Sequence, residues 1–390
     1  MDRSDDINLP AATPWLSEAG AREIAQALDG QVYFVGGCVR DALLGLGGAD
    51  VDMSSPLRPE VVTQRAQAAG LKVVPTGIDH GTVTVVAEGK GYEITTFRRD
   101  VETDGRRAVV SFSDNMAEDA RRRDFTLNAL YATPQGRVLD PLGRGVQDCL
   151  NRRILFIEDA ATRIREDYLR ILRFFRFHAT YADPEAGFDT DALDAIARNT
   201  AGLETLSAER IGAEMKKLLS APDPSRAVAA MRQTGCLMAV LPGSDDRYLG
   251  AVVHCEDILG LTPDPMLRLA GLGGAEAAAR FRLSRAEARQ LQDLTDAAYG
   301  ALPLSEVAYR KGCSIARGAA VLRAAHAQAP PDLAVLARID AAGSAVFPVT
   351  ARDLMPALSG KALGAELDRL ERLWIASDFT LSHEDLLTGR

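Results

Sequence analysis

Cysteine is scarce in this chain and badly placed for any framework role. The five present (Cys38, Cys149, Cys236, Cys255 and Cys313) are scattered, odd in number and without a CxxC pair. That excludes a disulfide scaffold and a cysteine-ligated zinc site, and it suits a reducing compartment. Long apolar runs are missing too: no segment approaches the roughly 18 residues a membrane span needs. The N-terminal stretch "MDRSDDINLPAATPW" has neither the basic start nor the apolar core of a signal peptide. A cytoplasmic protein is expected. With 390 residues, 47% of them apolar and 25% charged, the chain can bury two or three separate cores and is not disordered in bulk.

Positive charge is also short overall, with a net charge of −9 and a pI near 5.2, which speaks against a broad polyanion-binding surface. The average hides a local reversal. Between Arg98 and Arg176 stand sixteen arginines, no lysine and thirteen Asp or Glu, an excess of three positive charges, so the remainder carries about −12. Arginine alone, without lysine, favours bidentate contacts to phosphate and base edges over diffuse attraction. A salt-bridged helical surface would explain part of the same pattern.

Strand signals cluster early. "SEAGAREIAQALDG" (17–30) reads as a helix, with Ser17 as N-cap and Gly30 as its stop. "QVYFVGG" reads as a strand running into two glycines, "CVRDALLGL" as a helix and "ADVDMSS" as a second strand. A helix at 59–69 and three more strands, "GTVTVVAE", "YEITTFR" and "AVVSFSD", complete an α/β domain ending near 150. Beyond it Ala, Leu, Arg and Glu dominate with helical periodicity, broken at "ADPEAG", "SAPDPS", "LPGSDD" and "QAPPDL". The expected division is an N-terminal helix (1–30), an α/β head (31–150), and a helical neck (151–215), body (216–328) and tail (329–390).

Three constellations carry chemistry. Asp50 and Asp52 sit two apart in the second strand, so both project to one face while Val51 turns inward. Carboxylates so placed can share a pair of Mg2+ ions with a phosphoryl group, although a solvated strand end has the same spacing. Gly36 and Gly37 lie where a strand turns into a helix, with Arg40 one turn in, an arrangement that lets backbone N–H groups and a guanidinium close on phosphates. It is neither GxxxxGK[ST] nor GxGxxG. Finally, Asp167, Arg170, Arg173 and Arg176 recur at threes, as on one helix face. A carboxylate and a guanidinium together can read the Watson–Crick edge of a base, with Leu169, Ile171, Leu172 and Phe175 left to face the core.

The string "VGGCVRDALLG…DVD" resembles the signature of class II tRNA nucleotidyltransferases, the CCA-adding enzymes, and of the related bacterial poly(A) polymerases. "YEITTFRRD", "DGRRAVVSFS", "EDARRRDFTLNAL" and "REDYLRILRFFRF" resemble further motifs of that family in order, from about 32 to 180, and "FPVTARDL" and "LERLWIASDF" echo its tail. The resemblance implies a polymerase-beta-like mixed sheet, an α/β nucleotidyltransferase head, followed by an all-α neck, body and tail. It implies addition of the 3′-terminal CCA to tRNA from CTP and ATP with Mg2+ as cofactor. Carried onto this chain, Gly37 and Arg40 would hold the triphosphate, Asp50 and Asp52 the metal, and Asp119, Arg123 and Asp124 the ribose side. Asp167 and Arg170 would read the base, with Arg173 and Arg176 in support. Glu93 is a candidate third carboxylate, and His80 reads as a turn residue. "VVHCEDILG" lacks the His-Asp pair of a metal phosphohydrolase, and His178, His326 and His383 read as structural. The rivals are a poly(A) polymerase, an enzyme adding only CC or only A, and an inactive RNA-binding module. The chain ends without a strongly basic extension, the "DGRRAVVSF" loop is intact and both aspartates are kept, all of which favour full CCA addition.

Overall fold

The computed structural model describes residues 7–47, 50–78, 81–104, 107–355 and 357–388, with the backbone alone at 76, 100–104 and 107–110. His80 and the Gly105–Arg106 tip of the "DGRRAVVSF" loop therefore lie outside the described residues. The chain divides into two compact units, Met1–Ser207 with Ala230–Val240, and Ala208–Ala229 with Leu241–Arg390.

In the first unit, a 3-10 turn (Pro14–Leu16) leads into α1 (Ala19–Ala27). Ser17 does not cap α1: its hydroxyl donates to the Pro14 carbonyl at 2.7 Å, closing the turn before the helix, and Glu18 takes the N-cap position. Gly30 does end it, at φ +70°, with its N–H on the Ala25 carbonyl at 2.8 Å. Then follow β1 (Tyr33–Val35), α2 (Gly37–Leu43), β2 (Asp52–Ser55), α3 (Pro59–Ala68), β3 (Lys72–Gly77), β4 (Thr82–Ala87), β5 (Lys90–Thr96), β6 (Arg98–Asp104) and β7 (Arg107–Phe112). After them come α4 (Met116–Arg121), β8 (Tyr131–Ala132), β9 (Val138–Leu139), α5 (Gly145–Leu150), α6 (Ala160–Glu166), α7 (Leu169–Tyr181) and α8 (Thr190–Asn199). β3 and β6 were not legible in the sequence. Pro75 interrupts "LKVVPTG", and "RRDVETD" has no apolar alternation because β6 pairs only with β7, in a two-stranded ribbon.

The main sheet runs β3-β4-β5-β2-β1-β8-β9, antiparallel throughout except for the parallel pair β2–β5. β4 alternates strictly, burying Val83, Val85 and Ala87 under α1 and α3. The antiparallel β1–β2 register, Phe34 opposite Met53, brings the end of β1 and the start of β2 to the same rim. That is why the glycine turn and the aspartates, fifteen positions apart in sequence, meet.

α7 is held against this domain by aromatic packing. Phe174 stacks on Phe156 with centroids 5.5 Å apart and planes 11° off parallel, and Phe125 packs against both Phe156 and Phe177. Leu169, Ile171, Leu172 and Phe175 are buried as expected, and Phe174 and Phe177 join them. Most of this helix is thus buried, and Arg170, Arg173 and Arg176 recur together on its remaining side.

The second unit holds α9 (Ala208–Leu219) and, after α10 (Ser225–Gln233) and α11 (Cys236–Val240), the helices α12 (Leu249–Ile258), α13 (Pro265–Leu272), α14 (Ala277–Arg280), α15 (Arg285–Tyr299), α16 (Leu304–Lys311), α17 (Cys313–Ala327), α18 (Ala334–Gly343), α19 (Ala351–Leu354), α20 (Gly360–Ala376) and α21 (His383–Thr388). The open C-terminal carbonyls of α9 are capped from α13: Arg268, 1% exposed, donates to Leu219 O at 2.8 Å, to Ala221 O and to Pro222 O at 3.0 Å, and pairs with buried Glu256 at 2.7 Å. Trp374 and Phe379 pack edge to face at 5.0 Å within a core that includes Val349 and Leu370.

Candidate active site

The rim of the sheet begins with a glycine that has no substitute. Gly36 sits at φ +73°, ψ −120°, a region closed to L-residues. Its N–H donates to Leu130 O at 3.0 Å, and a Cβ there would stand 3.3 Å from Arg123 Nη1. The absolute demand for glycine therefore falls on position 36, one before the residue singled out from sequence. Gly37, with which α2 opens, faces Arg40 Nη2 at an ordinary contact distance.

β2 begins at Asp52, so the strand alternation expected of Asp50 and Asp52 holds only from Asp52 onward. Asp50 is exposed in the connecting segment and Val51 is half buried. The parallel β2–β5 register sets Glu93 directly beside Asp52 on the same face. Asp52 reaches the surface, yet its carboxyl is pushed above the usual range. Lost hydration at the crowded strand end contributes most, then the charge of Glu93, with Arg123 opposing and Asp50 adding. Like charges held together without full compensation, all hard oxygen donors, fit a divalent cation. Among the described residues no three His, Cys, Asp or Glu side chains close on a common point.

A cavity of about 400 Å³ opens beside Asp52, lined by Gly36, Gly37, Arg40, Asp124 and Asn128 and by Asp167, Arg170, Arg173 and Phe177 from the helical side. Arg98, Arg122 and Arg123 also reach it. Eight of the eleven residues picked from sequence thus meet in one place. Asp50, Asp119 and Arg176 do not line the cavity.

Several of the eight are already engaged. Arg40 is buried: Nε donates to Asp41 Oδ1, Nη1 to Asn128 Oδ1 and Nη2 to Tyr181 Oη, each at 2.7 Å, and its guanidinium lies 3.9 Å from the Tyr181 ring centroid. Most of its donors are spent on protein, so it forms part of the cavity wall. Asn128 passes the connection on, its Nδ2 donating to Asp124 Oδ1 at 3.0 Å. Asp124 also accepts from Phe125 N–H at 2.8 Å and, through Oδ2, from Arg173 Nε at 2.7 Å and Nη2 at 2.5 Å. Burial alone would raise the Asp124 carboxyl, but the Arg173 charge and these donors hold it below its ordinary value. A buried polar chain therefore ties α2 to α7.

Asp119 plays a supporting part for Arg123. Its Oδ2 accepts from Tyr131 Oη at 2.6 Å and Arg123 Nη2 at 3.0 Å, and Oδ1 from the Arg98 N–H at 3.2 Å. Burial works against the anion and the Arg123 charge outweighs it, so the Asp119 carboxyl lies low. Arg123, held by Tyr131 and Asp119, points toward Gly36 and Asp52.

The helix reading of 167–176 needs correction. Asp167 is not on α7: it closes α6 in an extended conformation, and its Oδ1 accepts the Leu169 N–H at 3.1 Å to start the next helix. Arg170 instead donates to Glu166 Oε2 at 2.6 Å and to the carbonyls of Arg163 and Arg122, both at 2.9 Å. Glu166 also pairs with Arg163, whose Nη1 reaches Arg121 O at 2.8 Å. The α6–α7 bend, rather than one helix face, presents Asp167 and Arg170 to the cavity. Arg176 packs over the Phe177 ring at 4.4 Å. Sequence reasoning missed Asn128, Tyr131, Glu166, Phe177 and Tyr181. Glu166 had a signal, being the first acid of "REDYLR"; Asn128 sits four after Asp124, a spacing that only a tight turn makes useful.

The match to known proteins follows the same outline. The family described as "Poly A polymerase head domain" matches residues 32–155, and "Probable RNA and SrmB- binding site of polymerase A" matches 187–247. The mitochondrial CCA tRNA nucleotidyltransferase 1 of Mus musculus is 30% identical over 379 residues, covering 92% of this chain and 86% of its own length. The CCA-adding enzyme of Geobacillus stearothermophilus is 41% identical over 216 residues, 54% of this chain and 50% of that one. The crystal structure of the Bacillus stearothermophilus CCA-adding enzyme in complex with CTP superposes with a TM-score of 0.68 at 28% identity, covering 93% of this chain and 94% of the other. With a relative 30% identical that this chain covers over 86% of its length, and a solved structure of the same fold, the chain belongs to the family of CCA tRNA nucleotidyltransferases, the CCA-adding enzymes.

Proposed function

We propose that this protein rebuilds the 3′ end of tRNA, adding C, C and A from CTP and ATP without a template and releasing pyrophosphate at each step. One observation carries the reading: Asp52, with Glu93 in register beside it, opens onto a cavity whose far wall is Asp167, Arg170 and Arg173. Acid groups for phosphoryl chemistry and a carboxylate–guanidinium set for a base edge thus share one space.

Asp50 and Asp52 are the residues that would hold Mg2+. When bound, the ion supplies positive charge that acidifies the tRNA 3′-hydroxyl and offsets the charge on the phosphates. The chain's own residues do the rest. The 3′-oxygen forms a bond to the α-phosphorus as the bond to the bridging oxygen breaks, pyrophosphate leaves, and Glu93, beside Asp52 in the sheet, would take the hydroxyl proton. Arg123, fixed by Asp119 and Tyr131, faces the developing negative charge, and the polar chain through Arg40, Asn128 and Asp124 keeps the triphosphate wall rigid. Asp167 can accept from the exocyclic amino group that C and A share, while Arg170 and Arg173 donate to the ring edge. Arg173 is the more exposed of the two, at 30% against 13%.

The helical tail packed around Trp374 is proposed to bind tRNA away from its 3′ end, and a cytoplasmic setting fits five unpaired thiols. The decisive assay incubates purified protein with α-labelled CTP and ATP and tRNA lacking its CCA. Ordered incorporation of two C and one A is expected. Incorporation of C alone or A alone would make it a partial enzyme, and long poly(A) on unstructured RNA would overturn the proposal.

A further inference from the structure

Of the sixteen arginines between 98 and 176, the catalytic cavity uses Arg98, Arg122, Arg123, Arg170 and Arg173. Three others, Arg144, Arg152 and Arg153, line a separate cavity of about 340 Å³ that borders α7 through His178 and Ala182. The local chain explains their convergence. α5 ends at Leu150, and Arg152 at φ +52° turns the backbone so that the Arg153 N–H returns to Asp148 O at 2.8 Å. The Asp148 carboxylate, side chain 1% exposed, then accepts from Arg144 Nε at 3.0 Å, Arg153 Nη2 at 2.8 Å and Thr126 Oγ1 at 2.8 Å. One buried anion thus anchors two guanidinium groups whose side chains stay half exposed, with exposed Arg152 between them. The other carboxylate at the cavity, Asp189, is spent on the Ala192 N–H at 2.8 Å as the N-cap of α8. The cavity lining thus carries three guanidinium groups and one carboxylate, Asp189, with Asp148 behind Arg144 and Arg153. Phe188 and His178 stack in its wall, with centroids 3.6 Å apart and planes 13° off parallel.

We infer that this cavity is a second RNA-binding site, which grips a phosphodiester of the strand leading to the 3′ end being extended. Guanidinium forks held in place by a shared carboxylate are pre-organised for a singly charged phosphate. The site offers no uncommitted acid to share a metal ion with a triphosphate, so a phosphodiester fits it better than a nucleotide. Its place is suitable: along α7 the mean position of His178 and Ala182 lies about 10 Å of helix axis beyond that of Arg170, Arg173 and Phe177. Gly187, Phe188 and Asp189, which line it, open the segment matched to the "Probable RNA and SrmB- binding site of polymerase A". That the RNA is tRNA rests on the function proposed above; the phosphodiester site does not.

The test uses the full-length protein and fluorescence anisotropy with tRNA lacking its CCA, measured over a range of salt without nucleotide, so that binding is read apart from turnover. Arg152→Gln should weaken binding about three- to tenfold at low salt and lower the slope of log K against log salt by about 0.7 to 0.9, one phosphate contact. Arg152→Lys should keep most of both, and Arg152→Glu should lose more than Arg152→Gln. In steady state the loss should fall on the KM for tRNA and not on that for CTP. Wild-type affinity and slope in both Arg152→Gln and Arg152→Glu would overturn the inference, as would a rise confined to the KM for CTP, which would mark a nucleotide site. If the wild type binds unstructured RNA as tightly as tRNA while Arg152→Glu still weakens it, the phosphodiester site stands and the tRNA reading falls.

Discussion

Replacing Asp52 with Asn should separate stability from function in opposite directions. The side chain is isosteric, and Asp52 stands at a rim where Glu93 is its register partner, Asp50 is two residues away and Arg123 opposes them. Its carboxyl lies above the usual range, so at neutral pH the folded state bears a cost that the unfolded chain lacks. The sign follows directly. A raised carboxyl penalises the fold at pH above its folded value, and the penalty disappears as pH falls through that value toward the unfolded one near 4. Because the group is solvent-facing, screening limits the effect to a few tenths of a kcal/mol and at most about 1. For a unit of roughly 200 residues that is a rise in Tm of about 1–3 °C at pH 7.5, shrinking toward pH 4. Mg2+ should stabilise the wild type by about 1.4 kcal/mol at ten times its Kd, raising its Tm, and leave Asp52→Asn unmoved. CTP incorporation should fall by at least three orders of magnitude, while anisotropy with tRNA lacking CCA stays near wild type. Differential scanning calorimetry with and without Mg2+, beside the incorporation assay, gives all of these. A variant that melts lower than wild type at neutral pH, or one still stabilised by Mg2+, would refute the account of this carboxylate as a repelled metal ligand.

Asp124→Asn should cost about 2–4 kcal/mol, since it removes the anion between Arg173 and Asn128, with the partial exposure of Arg173 reducing the loss. Because the Asp124 carboxyl is held low, its contribution is present above the unfolded value and lost as pH falls through the folded one; urea melts from pH 7 to 3 should therefore be flatter for the variant. Gly36→Ala should cost about 1–3 kcal/mol from its positive φ and raise the KM for CTP by displacing Arg123, whereas Gly37→Ala should be the milder change in both melts and kinetics. Glu166→Gln should weaken the hold on Arg170, and Asp167→Ala should remove the base-edge acceptor. Both should blur the choice of CTP and ATP over UTP and GTP by about tenfold in kcat/KM, and unaltered selectivity in both would place base reading elsewhere.

Turn and pattern signals were strong where local physics is decisive. The Gly36–Gly37 break, the β-branched runs of β4 and β5 and the Pro- and Gly-rich gaps at 182–187, 220–225 and 241–246 fall where the elements end. β6 was silent because it pairs with β7 in a separate two-stranded ribbon, and "RRDVETD" carries no apolar alternation. Spacing misled at 167–176: threes suggest one helix, but Asp167 is extended and its carboxylate accepts the Leu169 N–H, so the chain bends there. The engaged state of Arg40 was invisible for a different reason. Its partners Asn128 and Tyr181 lie 88 and 141 residues away, and nothing local marks them.

What the residues by themselves determined, then, is the inventory: a strand-to-helix turn that demands glycine, acids two apart, arginines without lysine, and a long helical remainder. Propensity, periodicity and turn chemistry act over a few residues, so these are readable one stretch at a time. Which groups meet was decided by pairing and packing across the chain. The antiparallel β1–β2 register brings the glycine turn to Asp52, the parallel β2–β5 pair sets Glu93 beside it, and the Phe125–Phe156–Phe174 cluster fixes α7 opposite. Whether an arginine is wall or reader depends on the partners that reach it through space, because a guanidinium's donors go to the nearest acceptors the fold supplies, whatever their distance in sequence.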